Sequence, residues 1–374
     1  MAAPGLRVLA IAFPFMGVIS SRRGYFQGKS IMTPSGISQL AESLVKVILG
    51  IGVCALTYKM GTSYAVAGAL SGVSAGAIAA ALVLEISFRR EGAKKGRVSF
   101  EKAVRVFGFS IPMTLGAFAF TAVMLLDTLS VPQILSDIGI PEAERLKLFG
   151  YLTRANTIYN LPATVISAVA ASAVPALVYT AGDREKLGET SAKVIKLVFL
   201  VALPCAFGMI LFPKELLLLI YSSTAHWELL VLVGIMVLIM PYIQTTTAML
   251  QTLGRTWIPI WISAGAIALK FVLNILFVNI IGVEGAVLST VAAFFAAAVL
   301  NTVLLLRVTP ITGGLRNVIK PAICAAVACG LAKAVYLLTG GIIMLLLCVG
   351  MAALLYFAMV IKTKCISKDE FERG

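Results

Sequence analysis

The sequence predicts an all-α polytopic membrane protein with about eleven transmembrane helices. Of its 374 residues, 60% are hydrophobic and only 13% are charged, and the mean hydropathy is +0.98; soluble domains carry about 25% charged residues. Apolar stretches recur at the length of about 20 residues that a helix needs to cross a bilayer. Lysine and arginine are dense in alternate loops and sparse in the others, as membrane topology requires.

The apolar stretches define the elements in order. Each stretch is too long and too continuously apolar for a strand of a membrane barrel. In lipid, a spanning segment must satisfy its backbone groups internally, and a helix does so within one segment. The predicted spans are residues 5–21, 38–58, 64–88, 103–129, 149–178, 194–213, 228–250, 257–281, 285–306, 318–338 and 341–361.

The basic residues orient these spans. With eleven spans, one side of the membrane collects 22 lysines and arginines and the other only five. Because cytoplasmic loops carry the excess of basic residues, we expect a multi-pass protein of the cell membrane with a cytoplasmic C-terminus. The net charge of +14 is therefore a topological signal, and the sequence predicts no nucleic-acid partner.

An internal repeat organises the chain. The chain has a basic turn, then a helix with Lys46 in mid-span, then a small-residue helix with Gly68-Ala69 near its start. The same order recurs as a basic turn, a helix with Lys270 and a small-residue helix with Gly285-Ala286 at its start. The period of six helices predicts two lobes, the first without its opening three helices, so that a complete protein has fourteen. The predicted regions are a remnant of the N-terminal lobe (1–88), a basic cytoplasmic linker (89–102), a six-helix C-terminal lobe (103–306) and two further helices with a cytoplasmic tail (307–374).

Two motifs carry a family resemblance. They are Arg23-Gly24-Tyr25-Phe26-Gln27-Gly28 with Met32-Thr33-Pro34 and Ile37-Ser38-Gln39, and the stretch from Tyr151 to Pro162 continuing to Val174-Pro175-Ala176. The chain resembles the stage V sporulation protein B and polysaccharide-exporter branch of the multidrug/oligosaccharidyl-lipid/polysaccharide exporter superfamily, aligned to its fourth through fourteenth helices. The resemblance implies two six-helix lobes around a cavity that opens alternately to each side and moves a lipid-linked saccharide precursor for the spore cortex or cell wall.

Other functions are weighed against this one. Cation-coupled multidrug efflux, within the same superfamily, would favour acidic over basic cavity residues. An inactive truncated product is a further alternative. A membrane glycosyl or phosphoglycosyl transferase is disfavoured because the longest loops are too short for a catalytic domain and show no metal-ligand spacing. We expect no enzyme activity, cofactor or metal site, and as partners only the lipid-linked substrate, membrane lipids and an unidentified coupling cation.

Arg154 is the first candidate transport residue. An arginine within a span costs about 2.5–3.5 kcal/mol on insertion scales, so by default it faces a cavity or partner. By resemblance it matches a cationic cavity residue of lipid-precursor flippases; the alternative is that it snorkels to the interface. Asn156 and Asn160 belong to a polar stripe on the same helix. Asn156 and Asn160 are predicted either to line a cavity or to bond neighbouring helices. Pro162 is predicted to provide a hinge in this helix.

Three further cavity residues lie in other spans. Asp127 lies near the outer end of its helix, where it pairs with Arg154, binds a coupling cation or is solvated. Lys270 has no acidic residue three or four positions away on its own helix, which favours a cavity role, and Asn274 lies one turn further on. By contrast, Glu42 and Lys46 have the spacing of an intrahelical ion pair.

Two predictions concern the membrane surface. Arg22, Arg23, Tyr25 and Gln27 form a candidate cytoplasmic gate or headgroup contact, although the positive-inside rule alone explains the basic residues. Lys333, outside the repeat, is assigned to a contact with lipid phosphate or with a groove.

Overall fold

The computed structural model describes residues 3–29, 31, 33–92, 99–172, 177, 179–180, 182–308 and 316–363. Within these ranges every regular element is helical. Apart from one short 3₁₀ turn, Tyr58–Met60, the helices are Ala3–Ala10 (α1), Ala12–Gly28 (α2), Thr33–Thr57 (α3), Thr62–Arg90 (α4), Phe100–Asp137 (α5), Glu142–Ser172 (α6), Arg184–Leu211 (α7), Pro213–Tyr221 (α8), Trp227–Thr252 (α9), Trp257–Ile281 (α10), Glu284–Val308 (α11), Arg316–Thr339 (α12) and Ile342–Lys362 (α13).

The predicted all-α membrane fold is confirmed. Each of the eleven predicted spans overlaps a helix of the structure, with α1 and α2 together covering the first. In the described part of the chain, nine helical segments are long and apolar enough to cross a membrane. The other two predicted spans correspond to α5 and α6, which are also helical. The number of eleven crossings stays a prediction.

The chain divides into two compact units, Met1–Phe100 and Glu101–Gly374. The boundary falls inside the interval predicted as a basic linker, whose central residues 93–98 lie outside the described residues, as do the motif at 174–176 and the tail from 364 onward. The finer division at residue 306 stays a prediction.

In the first unit, α3 and α4 form a hairpin in which two backbones touch. Gly72 of α4 lies against α3 so closely that a Cβ placed there would clash with the Lys46 carbonyl oxygen. At Gly76 the same atom would meet the Glu42 carbonyl oxygen at 2.8 Å. The spacing of four residues puts both glycines on one face of α4, as in small-residue contacts between membrane helices. Close packing of this hairpin therefore requires glycine at these positions.

In the second unit, α9 provides much of the core. Leu230, Val233 and Val237 on α9 are completely buried, within a cluster to which α5, α6, α7, α10 and α11 also contribute. The last two helices pack separately on α7, where the Tyr356 hydroxyl of α13 donates to the Leu200 carbonyl oxygen at 2.7 Å. Helix α10 meets α11 through Gly285, at which a Cβ would clash with the Phe277 carbonyl group.

Candidate functional site

Charged side chains meet inside the second unit, among helices α5, α10 and α11. Lys270 on α10 is 0% exposed, and its Nζ lies 2.7 Å from Oδ1 of Asp127 on α5. The Asp127 side chain is only 9% exposed. An ion pair taken out of water is stable only when its remaining hydrogen-bonding groups are also satisfied.

Neighbouring polar groups complete this arrangement. The Asn274 amide nitrogen donates to Asp127 Oδ1 and to Ser130 Oγ, both at 3.0 Å. Its carbonyl oxygen accepts from Ser289 Oγ at 2.6 Å. Lys270 Nζ also donates to Thr290 Oγ1. We call these six residues the buried polar cluster: Asp127, Ser130, Lys270, Asn274, Ser289 and Thr290.

The cluster brings together three of the predicted cavity residues, Asp127, Lys270 and Asn274. One suggestion, that Asp127 pairs with Arg154, is wrong, because the carboxylate is held by Lys270. The sequence had given a partial signal, since Lys270 lacks an acidic neighbour on its own helix. Ser130, Ser289 and Thr290 were not predicted; hydroxyl groups in apolar helices are too common to single out without knowing which helices adjoin.

Arg154 lies elsewhere, on α6. Its guanidinium carbon is 5.3 Å from the ring centre of Tyr151 and 5.2 Å from that of Tyr221. Within the described residues it forms no ion pair with a carboxylate. Arginine over aromatic faces is held by cation–π attraction, and this leaves its N–H groups available for an anion.

The polar stripe on α6 is partly uncovered by the rest of the chain. Asn156 is half-buried, whereas Asn160 and Thr164 are exposed. At the far end, the Ser167 hydroxyl donates to Gln244 of α9 at 2.8 Å. Helix α6 continues through Pro162 without interruption, so the structure shows no break at the predicted hinge.

The candidate gate lies in the first unit and is held by internal ion pairs. Arg22 bonds Glu85 at 2.9 Å and lies 3.6 Å from the ring centre of Phe88. Arg23 bonds Glu42 at 2.9 Å. Tyr25 packs edge-on against Phe88, and Gln27 is exposed.

Lys29 follows the gate residues and is also engaged. It bonds Glu91 at 2.9 Å and lies 4.8 Å from the Tyr25 ring centre. Hydrogen bonds with Tyr25, and then with Glu91, raise its pKa above the usual value. These contacts therefore favour the protonated form of Lys29.

Two other ionic contacts join helices of the second unit. Lys333, predicted to contact lipid phosphate or a groove, has its Nζ 2.6 Å from Glu215 of α8. His226 bonds Glu284 at the start of α11 through Nδ1 at 2.7 Å. Among the described residues no group of His, Cys, Asp and Glu could hold a metal ion.

Comparison with known proteins places these features in context. A family described as polysaccharide biosynthesis protein matches residues 2–181. The chain is similar to the uncharacterized membrane protein YabM of Bacillus subtilis (strain 168), with 27% identity over 333 residues, 86% of this chain and 62% of YabM. Stage V sporulation protein B of the same organism is 24% identical over 379 residues, which cover 96% of this chain and 73% of that protein. The lipid II flippase MurJ of the same organism is 20% identical over 323 residues, which cover 81% of this chain and 59% of MurJ. The chain thus spans less than two thirds of the length of YabM and MurJ.

Solved structures share the fold. A lipid II flippase MurJ in an inward closed conformation superposes with a TM-score of 0.64 at 16% identity, over 94% of this chain and 73% of that one. An outward-facing multidrug resistance MATE family transporter superposes with a TM-score of 0.65 at 17% identity, over 83% and 70%. The relatives whose names state an activity are flippases and transporters, which agrees with the prediction of a protein that is not an enzyme.

Proposed function

Since this chain belongs to the multidrug/oligosaccharidyl-lipid/polysaccharide exporter superfamily, in the branch similar to stage V sporulation protein B, we propose that it moves a lipid-linked saccharide precursor across the cell membrane by alternating access. The relative named as a lipid II flippase supports this substrate class. The basic loops support a cytoplasmic C-terminus for the multi-pass chain.

The polar face of α6 is the observation that carries the proposal. Asn160 and Thr164 are uncovered by other parts of the chain, and amide groups facing hydrocarbon have no hydrogen-bond partner. This face therefore lines water, as the wall of a transport cavity does. Arg154 lies one and a half turns before Asn160 with its guanidinium not bound to a carboxylate among the described residues, and such a fork fits a pyrophosphate group.

The buried polar cluster fits a structural role in the proposed transporter. It ties α5, α10 and α11 into one body through bonds that lie within the second unit. Alternating access in many transporters moves such bodies as rigid parts around the binding site. We assign Asp127, Lys270 and Asn274 to holding this body together, and Arg154, Asn156 and Asn160 to facing the substrate. Arg22, Arg23, Tyr25 and Gln27 remain proposed as the cytoplasmic gate, with both arginines already held by carboxylates.

Multidrug efflux coupled to a cation is less well supported. It would use Asp127 as a free carboxylate, but that group is neutralised by Lys270 in the structure.

The proposal is tested by substrate flipping in liposomes. The purified chain should move a fluorescent polyprenyl-pyrophosphate saccharide between leaflets, and Arg154→Ala should reduce the rate at least about tenfold, because a charge-assisted bond to phosphate contributes about 1.5–3 kcal/mol. Lys147→Ala, which removes an exposed cation from the same helix, is the matched control and should leave the rate unchanged.

Two results would overturn the proposal. If the purified chain flips no saccharide lipid, the transport function fails for this chain. If Arg154→Ala and Lys147→Ala transport equally well, Arg154 only anchors α6 at the interface. Protein amount in each liposome preparation must be matched before rates are compared.

A further inference from the structure

Oxygen atoms surround the ammonium group of Lys270. Besides Asp127 Oδ1 at 2.7 Å and the Thr290 hydroxyl, the Ala286 carbonyl oxygen lies at 3.3 Å and the Ser289 hydroxyl at 3.5 Å. An ammonium has three donors and no acceptor, so every one of these oxygens faces it with a lone pair. We call these four oxygens the oxygen cage.

The hydroxyl protons in the cage point away from Lys270. Thr290 Oγ1 donates to the Ala286 carbonyl oxygen at 2.8 Å, and Ser289 Oγ donates to the Asn274 carbonyl oxygen at 2.6 Å. The Asn274 amide protons go to Asp127 and Ser130. Hydrogen bonding within the cluster therefore leaves only acceptors directed at the centre of the cage. A site lined by acceptors, one of them a carboxylate, stabilises a positive charge at its centre.

The charge of the site is matched to one positive unit. The cage contains a single carboxylate, Asp127, and three neutral oxygens. A divalent ion would leave an excess positive charge in a site from which water is excluded, at a cost of several kcal/mol. Carboxylate, carbonyl and hydroxyl oxygens are the ligands of hard cations such as alkali ions rather than of soft metals.

The cage is also held rigidly. Gly285 brings the backbone of α11 against that of α10, and Ala286, Ser289 and Thr290 follow it within about a turn and a half. Ala286, Ser289 and Thr290 are all buried. Removing the lysine side chain would therefore leave its oxygens in place around a vacant, negatively charged centre.

We infer that the oxygen cage is a monovalent-cation site that the chain fills with its own Lys270 ammonium in place of a free ion. In the native protein the site binds no Na⁺, because its cation is covalently attached. When the lysine side chain is shortened, the cage becomes a site for Na⁺ or Li⁺. The test measures ion binding and Tm and no transport, so its outcome is independent of the proposed function.

The test compares Lys270→Ala with the unmodified chain, each purified in NaCl and in N-methylglucamine chloride of equal ionic strength. We expect Lys270→Ala to bind close to one ²²Na⁺ per chain and to show a Tm that rises with NaCl and saturates. The unmodified chain should bind none and show no such rise. Lys46→Ala, which removes the counterpart lysine of the first unit, is the matched control and should behave as the unmodified chain.

A second variant links the binding to the cage. Adding Asp127→Asn to Lys270→Ala should abolish both the bound ²²Na⁺ and the rise in Tm, because Asp127 supplies the negative charge among the four cage oxygens. Methylammonium, an analogue of the missing side-chain end, should stabilise Lys270→Ala as Na⁺ does.

Three outcomes would overturn the inference. The first is a Lys270→Ala protein that folds but responds to neither Na⁺ nor methylammonium. The second is failure of that variant to fold in every buffer, because an ion that fills the cage should restore it. The third is ²²Na⁺ binding by the unmodified chain that Asp127→Asn abolishes, since this would mean that the site takes a free ion while Lys270 is present.

Discussion

Two hairpins in this chain, α3–α4 in the first unit and α10–α11 in the second, start from similar sequences and place their lysines in opposite environments. Each has a lysine in the middle of its first helix and a second helix that packs backbone to backbone on it through glycine. Lys46 has a side chain that is 43% exposed, whereas Lys270 is 0% exposed. Their common sequence pattern therefore does not determine the environment of the lysine.

The difference comes from where the carboxylate lies. Lys46 is 3.5 Å from Glu42, one turn earlier on its own helix, and Glu42 is shared with Arg23. Lys270 has its partner on a third helix, α5, 143 positions away in sequence. The Glu42–Lys46 pair forms along one helix on a partly open surface, whereas Asp127 and Lys270 meet where α5, α10 and α11 enclose both side chains. The first lysine is thus a surface charge and the second part of the interior.

The largest effect is expected from removing each lysine. Lys270→Met should lower the free energy of unfolding by about 3–5 kcal/mol, because it leaves the buried Asp127 without a counter-charge. Lys46→Met should cost at most about 1 kcal/mol, as exposed pairs do. Unfolding in mixed detergent micelles measures both. Equal losses of unfolding free energy would mean that the two lysines stabilise their hairpins to the same extent.

A double variant sharpens this result. Lys270→Met combined with Asp127→Leu should recover most of the stability that Lys270→Met loses, since the uncompensated charge is gone. A double variant as unstable as the sum of its single variants would mean that the two side chains are not coupled.

An intermediate effect should be common to both hairpins. Gly285→Ala and Gly72→Ala each put a methyl group against backbone atoms of the facing helix, and the overpacking should cost about 1–3 kcal/mol. Gly265→Ala on α10 and Gly52→Ala on α3, where nothing lies within 4 Å, should be neutral or slightly stabilising. Thermal unfolding of the four proteins checks this. If the tightly packed and open positions respond alike, the glycines do not set the hairpin spacing.

The smallest effect is a difference in salt dependence. A charge at mid-span avoids hydrocarbon by facing water, and Lys46 lies on a face that the chain leaves partly uncovered. The contribution of the Glu42–Lys46 pair, about 0.3–0.5 kcal/mol, should therefore shrink as N-methylglucamine chloride is raised, because ions screen charges in water. The loss caused by Lys270→Met should not change, since the pair lies away from solvent. Titrating salt during unfolding of Lys46→Met and Lys270→Met measures both, and a salt-dependent loss in Lys270→Met would show that water reaches the buried pair.

The predicted elements succeeded where the prediction depended on local properties. The eleven intervals overlap helices because an apolar segment of about 20 residues in lipid has to bond its own backbone, and this requirement needs no knowledge of neighbours. The Glu42–Lys46 pair was predicted for the same reason, as spacing along one helix fixes it. It is confirmed at 3.5 Å.

Partners on different helices were harder to predict. The similar depth of Asp127 and Arg154, near the outer ends of adjacent spans, suggests a pair between them, yet Asp127 bonds Lys270. For Lys333 the sequence suggests lipid phosphate or a groove, and the side chain bonds Glu215. In each case depth in the membrane allowed several partners, and only the identity of the neighbouring helix chose among them.

The sequence by itself therefore determined the helical class, the positions of the spans and the placement of lysines within them, since these follow from hydropathy and from bonding within one helix. Only the tertiary structure decided that α5 lies beside α10 and α11, and hence that Asp127, Lys270, Ser289 and Thr290 share one site. The reason is physical: apolar helices pack against one another through surfaces of similar composition, so the few polar groups find their partners only after the packing has placed them side by side.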